Sequence, residues 1–136
     1  MEAVVEPAAP AAKWMTRLGW ALTVLVALFL TMDGVMKLMD VPQVKTATLQ
    51  LGWPLVLDRT LGVVDLVCMA LYAFPRTAVL GAILTTGLCG GAAAAHLRLG
   101  DPLFSHVLFG VYIGVMAWGG LWLRDARLRA LMPIRD

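Results

Sequence analysis

Four long apolar runs constrain the fold of this chain more than any other feature of its 136 residues. A helix needs about 20 consecutive apolar residues to cross the hydrocarbon core of a bilayer. The runs lie at about residues 14–38, 55–74, 77–97 and 103–123. Each must be helical, because lipid offers no hydrogen-bond partner to open backbone groups. The sequence therefore predicts an all-α integral membrane bundle of four transmembrane helices.

The remaining composition leaves no room for a separate soluble domain. Only 15% of the residues are charged, against about a quarter in a typical soluble domain. We therefore predict a four-helix transmembrane domain over residues 14–124, between a disordered N-terminal tail (1–13) and a basic cytoplasmic C-terminal tail (125–136). The first 12 residues carry two glutamates and no base, so they lack the positive start of a signal peptide.

The basic residues indicate how the helices are oriented. An even number of spans places both termini on one side, and cytoplasmic segments are enriched in Lys and Arg. The bases on the side of the termini are Lys13, Arg17, Arg76, Arg124, Arg127, Arg129 and Arg135. The bases on the other side are Lys37, Lys45, Arg59 and Arg98. We therefore predict a protein of the cell (inner) membrane with both termini in the cytoplasm.

The segment between the first two apolar runs is polar and is predicted to form a short surface helix within residues 41–54. Trp53 and Pro54 mark the return into the membrane, since Trp favours interface depth. No basic face is interleaved with exposed aromatic residues, and no nucleic-acid-binding motif is present. We therefore expect the lipid bilayer, and not a nucleic acid, as the surroundings of this chain.

Two pairs of glycines have the spacing that lets transmembrane helices approach closely. Gly87 and Gly91 lie in the third run, and Gly110 and Gly114 lie in the fourth. Small residues four apart support close backbone packing in lipid. We expect these glycines to pack the bundle within one chain, with a homodimer seam as the alternative.

Several ionisable residues fall where lipid would penalise them, and they form the candidate site. A charge near the bilayer centre is costly and usually faces the interior of a bundle. The candidate catalytic residues are Asp33, Asp65 and His96, and the candidate binding or polar-cluster residues are Lys37, Arg59, Arg98 and His106. With the predicted orientation, all of them lie in the outer half of the bundle. We expect Lys37 or His96 to contact Asp65 directly or through one water, because a carboxylate at that depth must be neutral or paired.

Each of these residues also has a purely structural explanation. Asp33 and Lys37 are four residues apart and can form an ion pair within one helix. His96 can be an interior histidine held by a hydrogen bond. Asp65, in the middle of its run, is the residue for which a functional or bundle-specifying role is most strongly indicated.

Several other chemistries are disfavoured by the sequence. The spacing of His96, His106, Asp33 and Asp65 matches no standard metal-ligand motif, so no metal site and no cofactor are predicted. The two cysteines, at positions 68 and 89, do not form a C-x-x-C pair. Ser105, the only serine, precedes a histidine, but adjacent residues on an α-helix do not face each other. We therefore expect no nucleophile–base couple there.

The sequence resembles the DoxX-like membrane proteins over about residues 15 to 133. The segments that carry the resemblance are GGAAAAHLR (90–98), GDPLF (100–104), DG and KL (33–34 and 37–38), LGWP (51–54), PRTAVLG (75–81) and the ending from Trp118 to Asp125. Asp65 stands where this family more often has a glutamate, which is a departure from its pattern.

The resemblance implies a four-helix membrane bundle, mostly bacterial, without implying one activity. The family takes its name from subunits linked to thiosulfate:quinone oxidation, and its outline is similar to that of sterol-isomerase and sterol-binding four-helix proteins. It favours a membrane subunit, as a partner of another membrane protein or in a homodimer, or a binder of a hydrophobic small molecule such as a lipid or quinone. The alternative is a membrane enzyme that performs acid–base chemistry, isomerisation or ring opening, with Asp33, Asp65 and His96.

Overall fold

The computed structural model describes residues 12–134, and this part of the chain is helical with no β-strand. The elements, in chain order, are α1 (Lys13–Leu38), α2 (Pro42–Gln50), α3 (Val56–Ala73), α4 (Ala78–Leu99), a π-helical turn (Leu103–Val107), α5 (Phe109–Arg124) and α6 (Ala126–Leu131). The prediction of an all-helical membrane bundle is confirmed. The predicted disordered tail lies outside the described residues, except that Lys13 already begins α1.

Within residues 12–134, three helical segments are long and apolar enough to cross a membrane. They are α1, α4 and the continuous segment Leu103–Arg124, which joins the π-helical turn to α5. The predicted second span corresponds to α3, which has 18 residues but includes Asp58, Arg59 and Asp65. These three charged side chains set α3 apart from the other segments, each of which contains a stretch of 18 residues with at most two charged side chains.

The four long helices form a ring in which α1 packs between α3 and α5, and α4 packs between the same two helices on the opposite side. Helices α1 and α4 therefore face each other across the bundle. Helix α2 confirms the predicted short surface helix and lies where α1 ends and α3 begins. We call this end of the bundle the α2 end.

Helix α1 approaches its two neighbours through glycines at opposite ends. A Cβ atom added to Gly34 would lie 2.9 Å from the carbonyl oxygen of Gly62 on α3, and one added to Gly19 would lie 2.8 Å from that of Gly120 on α5. The backbones are in direct contact at both places, because no side chain intervenes. These contacts fix the depth at which the residues of α1 meet those of α3 and α5.

Most of the glycines that were expected to pack against neighbouring helices of the bundle do not contact them. Cβ atoms added to Gly87, Gly91 or Gly114 would meet nothing within 4 Å. Only Gly110 is in close contact, with an added Cβ 2.6 Å from the carbonyl oxygen of Cys89 on α4. The packing prediction is therefore wrong for three of these four glycines, because the spacing of small residues does not say which face of a helix meets a neighbour.

Candidate functional site

A cavity of about 750 Å³ opens between α1 and α4 at the α2 end of the bundle. Its wall is mostly apolar and includes Phe29 and Leu30 of α1, Leu88 of α4 and Ile113 of α5. Helix α2 covers it with Val44, Ala47 and Thr48, and Leu51, the residue after α2, also lines it. The polar side chains that line it include Asp33, Lys37, Asp65, His96, Arg98 and His106.

Lys37 lies between two carboxylates in the wall of this cavity. Its Nζ donates to Asp33 Oδ2 at 2.6 Å and to Asp65 Oδ2 at 2.7 Å. Asp65 is almost completely buried, with 1% of its side chain exposed, while Asp33 is the most accessible of the three at 32%. The prediction that Lys37 contacts Asp65 is confirmed, and the ion pair within α1 is present as well.

The local sequence explains why these three side chains meet. Asp33 and Lys37 are four residues apart on α1, so they project from one helical face. Gly62 precedes Asp65 by three residues, and its missing side chain lets the stem of Lys37 lie against α3, with an added Cβ only 3.1 Å from Lys37 Cβ. The glycine thereby brings the ammonium group within reach of a carboxylate on another helix.

His96 does not join this cluster directly. Its Nδ1 lies 2.6 Å from Asp101 Oδ2, and its ring packs edge-on against the ring of His106, with the centroids 5.6 Å apart. Since a carboxylate only accepts, Nδ1–H donates to Asp101, which leaves Nε2 as an acceptor in the neutral ring. The cavity is therefore lined by two polar groups: the Asp33–Lys37–Asp65 triad and this histidine pair.

The prediction for Ser105 is wrong, because its Oγ lies 2.7 Å from Nδ1 of the adjacent His106. These residues belong to the π-helical turn, whose wider i to i+5 winding rotates successive residues by a smaller angle than an α-helix does. Ser105 is exposed and does not line the cavity, whereas His106 does.

Arg98 and Arg59 have different positions relative to the cavity. Arg98 lines it and donates from Nη2 to the carbonyl oxygen of Leu51 at 2.7 Å, tying α4 to the end of α2. Arg59 lies outside the cavity with a largely exposed side chain and donates to Asp40 at 3.1 Å. The structure therefore brings six of the seven candidate residues to one cavity and leaves out Arg59.

Asp40, at the corner between α1 and α2, was not among the candidates. Its φ of 57° is unusual for a residue other than glycine. The hydrogen bond from Arg59 and the nearby charge of Lys45 hold the pKa of its carboxyl group below the ordinary value. The carboxylate is therefore ionised at neutral pH, and its bridge to α3 weakens only as the pH falls through that lowered pKa.

Asp58 and Thr48 form a second polar contact that the sequence did not single out. Thr48 Oγ1 donates to Asp58 Oδ1 at 2.5 Å, and 1% of Asp58 is exposed. The other carboxylate oxygen of Asp58 is buried without a hydrogen-bond partner among the described residues. The sequence could have indicated that Asp58 is buried, because it lies seven residues before Asp65 on the same face of α3. It could not have indicated Thr48 as the partner, because that contact depends on how α2 packs against α3.

Within residues 12–134, no group of three or more His, Cys, Asp or Glu side chains is arranged to hold a metal ion. Cys68 and Cys89 are both buried free thiols. The polar groups in the cavity wall are carboxylates, an ammonium group, a guanidinium group and imidazoles.

Residues 21–120 match the model of the DoxX-like family. The chain belongs to the DoxX-like family. The matched region contains all of α2, α3 and α4, together with every polar residue placed in the cavity wall above. Comparisons of this DoxX-like protein with curated proteins and with solved structures gave no match.

Proposed function

We propose that this DoxX-like protein binds a hydrophobic small molecule, a lipid or a quinone, in the cavity between α1 and α4. The observation that carries the proposal is an apolar cavity of about 750 Å³ with the Asp33–Lys37–Asp65 triad in its wall. Ligand sites are typically clefts of about 300–1,000 Å³ lined by apolar residues with a few polar groups that fix orientation. The cavity has this size and this composition.

The cost of the triad also supports a binding role. Burying charged groups is expensive even when they are paired, and apolar residues of similar volume are often as stabilising. A bundle that needed only cohesion could fill this space with leucine. Here the charged groups line an open space instead, where the apolar wall can hold a hydrocarbon body and the triad can bind its polar group.

A photoreactive probe tests this proposal. The purified protein is reconstituted in vesicles with a long-chain alcohol that carries a diazirine and an alkyne, and the labelled peptides are mapped by mass spectrometry. We expect labelling of peptides that line the cavity, including residues 87–95. Leu88→Trp, which fills the cavity, should lower the final extent of labelling by about tenfold, as for the loss of a well-packed apolar contact.

The matched control is Leu84→Trp, because Leu84 is on the same helix, is 41% exposed and does not line the cavity. Its labelling should equal that of the parent protein. Labelling spread evenly over lipid-facing residues, and unchanged by Leu88→Trp, would contradict a binding site in this cavity.

The histidine pair favours a second candidate function: acid–base catalysis of an isomerisation or ring opening, with Asp33, Asp65 and His96. A carboxylate on Nδ1 orients an imidazole and leaves Nε2 to accept a proton, which is a recurring arrangement for a general base. In an isomerisation of a β,γ-unsaturated ketone, one group removes a proton from the α carbon, the double bond moves to the α,β position, and another group returns a proton to the γ carbon.

A hydrophobic β,γ-unsaturated ketone is the direct test of the second candidate, since its conjugated isomer absorbs strongly in the ultraviolet. Conversion that His96→Gln abolishes and Lys45→Met preserves would support catalysis. If the ketone competes with the alcohol probe for the cavity but is not converted, the protein binds without performing this reaction.

The proposed membrane arrangement is four spans in the cell inner membrane with both termini in the cytoplasm. Helix α3 supports a fourth span because Asp58 and Asp65 are buried while Val56, Val63 and Val67 are exposed. An apolar surface with buried charges is the pattern that lipid requires. Orientation is supported by the distribution of Lys and Arg between the two ends of the bundle.

A further inference from the structure

Helix α2 closes the cavity at the α2 end of the bundle. It lies across the opening and is held by side-chain contacts on both sides. Thr48 binds Asp58 of α3 at 2.5 Å, and the carbonyl oxygen of Leu51 accepts from Arg98 of α4 at 2.7 Å. Thr48 itself is buried. A ligand that entered along the bundle axis would have to break these contacts.

The cavity is open on the side of the bundle, along α4, whereas α2 closes it at the α2 end. Gly87 and Gly91 line the cavity and are nevertheless exposed, and Cβ atoms added to them would meet nothing within 4 Å. They lie 12 and 8 residues before Leu99, the last residue of α4, which is about 18 and 12 Å at 1.5 Å per residue. In a membrane-spanning α4 this opening faces hydrocarbon.

The triad also restricts the polar group that it can receive. Two carboxylates around one ammonium group carry a formal charge of −1, so an anionic head group would be repelled at the triad. Arg98, the other cation of the cavity wall, donates instead to the carbonyl oxygen of Leu51. Lys37 uses two of its three N–H donors on Asp33 and Asp65. The third donor and the remaining carboxylate oxygens suit an uncharged oxygen, which accepts from the ammonium group or donates to a carboxylate.

We infer that the cavity is loaded sideways from the bilayer, past Gly87 and Gly91, by a hydrophobic molecule with an uncharged hydroxyl or carbonyl group that binds the triad. This inference rests on the proposed binding function and deepens it. The apolar body lies along the wall of α4, with the polar group beside Lys37.

Chain-matched photoreactive probes test the polar group in vesicles that contain the full-length protein. The alcohol and the corresponding carboxylate differ only at the head. We expect the alcohol to label the cavity at least about tenfold better than the carboxylate at neutral pH, because like charges in an apolar site oppose binding. Equal or better labelling by the carboxylate would overturn the assignment of an uncharged head group.

Blocking the opening tests the route. Gly91→Phe places a ring in open space. Gly114→Phe is the matched control, because a Cβ atom added to Gly114 also meets nothing within 4 Å but Gly114 does not line this cavity. We expect Gly91→Phe to slow the initial rate of labelling by the alcohol at least about tenfold with a similar final extent, and Gly114→Phe to match the parent.

Gly87→Phe serves as the second variant if Gly91→Phe fails to fold. Lateral entry would be overturned by a Phe variant that is labelled at the same initial rate as the parent protein. It would also be overturned by a variant whose final extent of labelling falls while its initial rate is unchanged. If no probe labels the cavity of the parent protein, the proposed binding function fails instead, so the two failures are distinguishable.

Discussion

Lys37 is the residue on which the polar chemistry of the cavity depends. Its ammonium group joins a carboxylate on its own helix to the buried Asp65 on α3. Without it, Asp65 would be a buried charge with no opposite charge beside it. The net contribution of such a cluster to stability is small, because the cost of removing the charges from water opposes their attraction. Removing one charged side chain leaves the desolvation cost of the remaining ones without the attraction that offsets it.

Lys37→Met should therefore destabilise the protein strongly. We expect a loss of about 3–5 kcal/mol in the free energy of unfolding, measured by SDS titration in mixed micelles, as when one partner of a buried ion pair is removed. Lys45→Met is the matched control, because Lys45 pairs with Asp40 at 3.8 Å on the surface and such pairs contribute about 0–1 kcal/mol. Equal effects of the two substitutions would show that the triad does not hold α1 to α3.

Asp65→Asn separates a structural from a functional role of the carboxylate. Asparagine keeps the shape but not the charge, so the attraction to Lys37 is lost. If Asp65 binds the polar group of a ligand, labelling of the cavity by the alcohol probe should fall while the protein remains folded. A fall in thermal stability with labelling intact would assign Asp65 to the bundle, and no change in either would contradict both roles.

The contacts of the triad could be predicted from the sequence, but those of Ser105 and Asp58 could not. Asp33, Lys37 and Asp65 are marked by the cost of charge in lipid and by helical spacing, which are both properties of the sequence. The Ser105–His106 contact depends on a π-helical turn, and the Asp58–Thr48 contact depends on where α2 docks. Both are set by tertiary structure, which local patterns do not report.

Helix α2 is the element that decides whether the α2 end of the bundle is open. It has nine residues and begins with a proline, which suits the first turn of a helix. It is flanked by Asp40 and Gly52, both with positive φ. A helix this short is not stable alone, so its position depends on the contacts it makes with α3 and α4.

Thr48→Val should loosen α2. The substitution leaves Asp58 with neither carboxylate oxygen bonded, at a cost of about 1–3 kcal/mol for an unsatisfied buried group. We expect faster hydrogen–deuterium exchange of the α2 amides. Thr46→Val is the matched control, since Thr46 is exposed and donates only to the carbonyl oxygen of Pro42 on its own helix. Equal exchange in both variants would mean that the contact with Asp58 does not hold α2.

The close contact between α1 and α3 leads to a further prediction. Gly34→Ala would place a methyl group 2.9 Å from Leu66 Cγ as well as against Gly62, so the helices must separate. We expect a loss of about 1–3 kcal/mol, as for overpacking of a core, seen as a lower unfolding temperature in detergent. Gly87→Ala, into open space, should leave the unfolding temperature unchanged or slightly higher. An unchanged unfolding temperature for Gly34→Ala would contradict the close contact between α1 and α3.

The whole molecule has an uneven distribution of charge between its two ends. The described bases at the end of the termini are Lys13, Arg17, Arg76, Arg124, Arg127 and Arg129, with Asp125 as the described acid there. The acids Asp33, Asp40, Asp58, Asp65 and Asp101 lie toward the α2 end, beside four bases. This asymmetry is the basis of the proposed orientation.

Cysteine labelling tests the orientation. Lys45→Cys places a thiol on α2, and Arg76→Cys places one in the turn between α3 and α4. The native thiols are buried and should not react. In spheroplasts, a membrane-impermeant maleimide should label Lys45→Cys at once and Arg76→Cys only after the membrane is permeabilised. The reverse pattern would show that the protein has the opposite orientation in the membrane. Labelling of both variants before permeabilisation would show that α3 does not cross the membrane, which contradicts an even number of spans.

The order of the four long helices could be predicted from the sequence because apolar runs of this length have few alternatives in lipid, whereas α6 lies in the segment that was predicted as a tail. The pairing of helix faces could not be predicted. Gly87 and Gly110 belong to motifs of the same kind, yet only Gly110 meets a neighbouring backbone. Which glycine meets a neighbouring backbone depends on how each helix is rotated in the ring, and that rotation is fixed jointly by the packing of all four helices.

Helix α4 makes different kinds of contact with its neighbours along its length. Toward its start, Gly81 abuts the backbone of Tyr72, and near its middle Cys89 abuts Gly110. From Gly87 to Arg98 the helix borders the cavity, and beyond Cys89 its contacts are made by side chains: His96 packs against His106, and Arg98 donates to the carbonyl oxygen of Leu51. The first half of α4 is therefore positioned by contacts between backbones, whereas the half that forms the cavity wall depends on two polar side chains for its position.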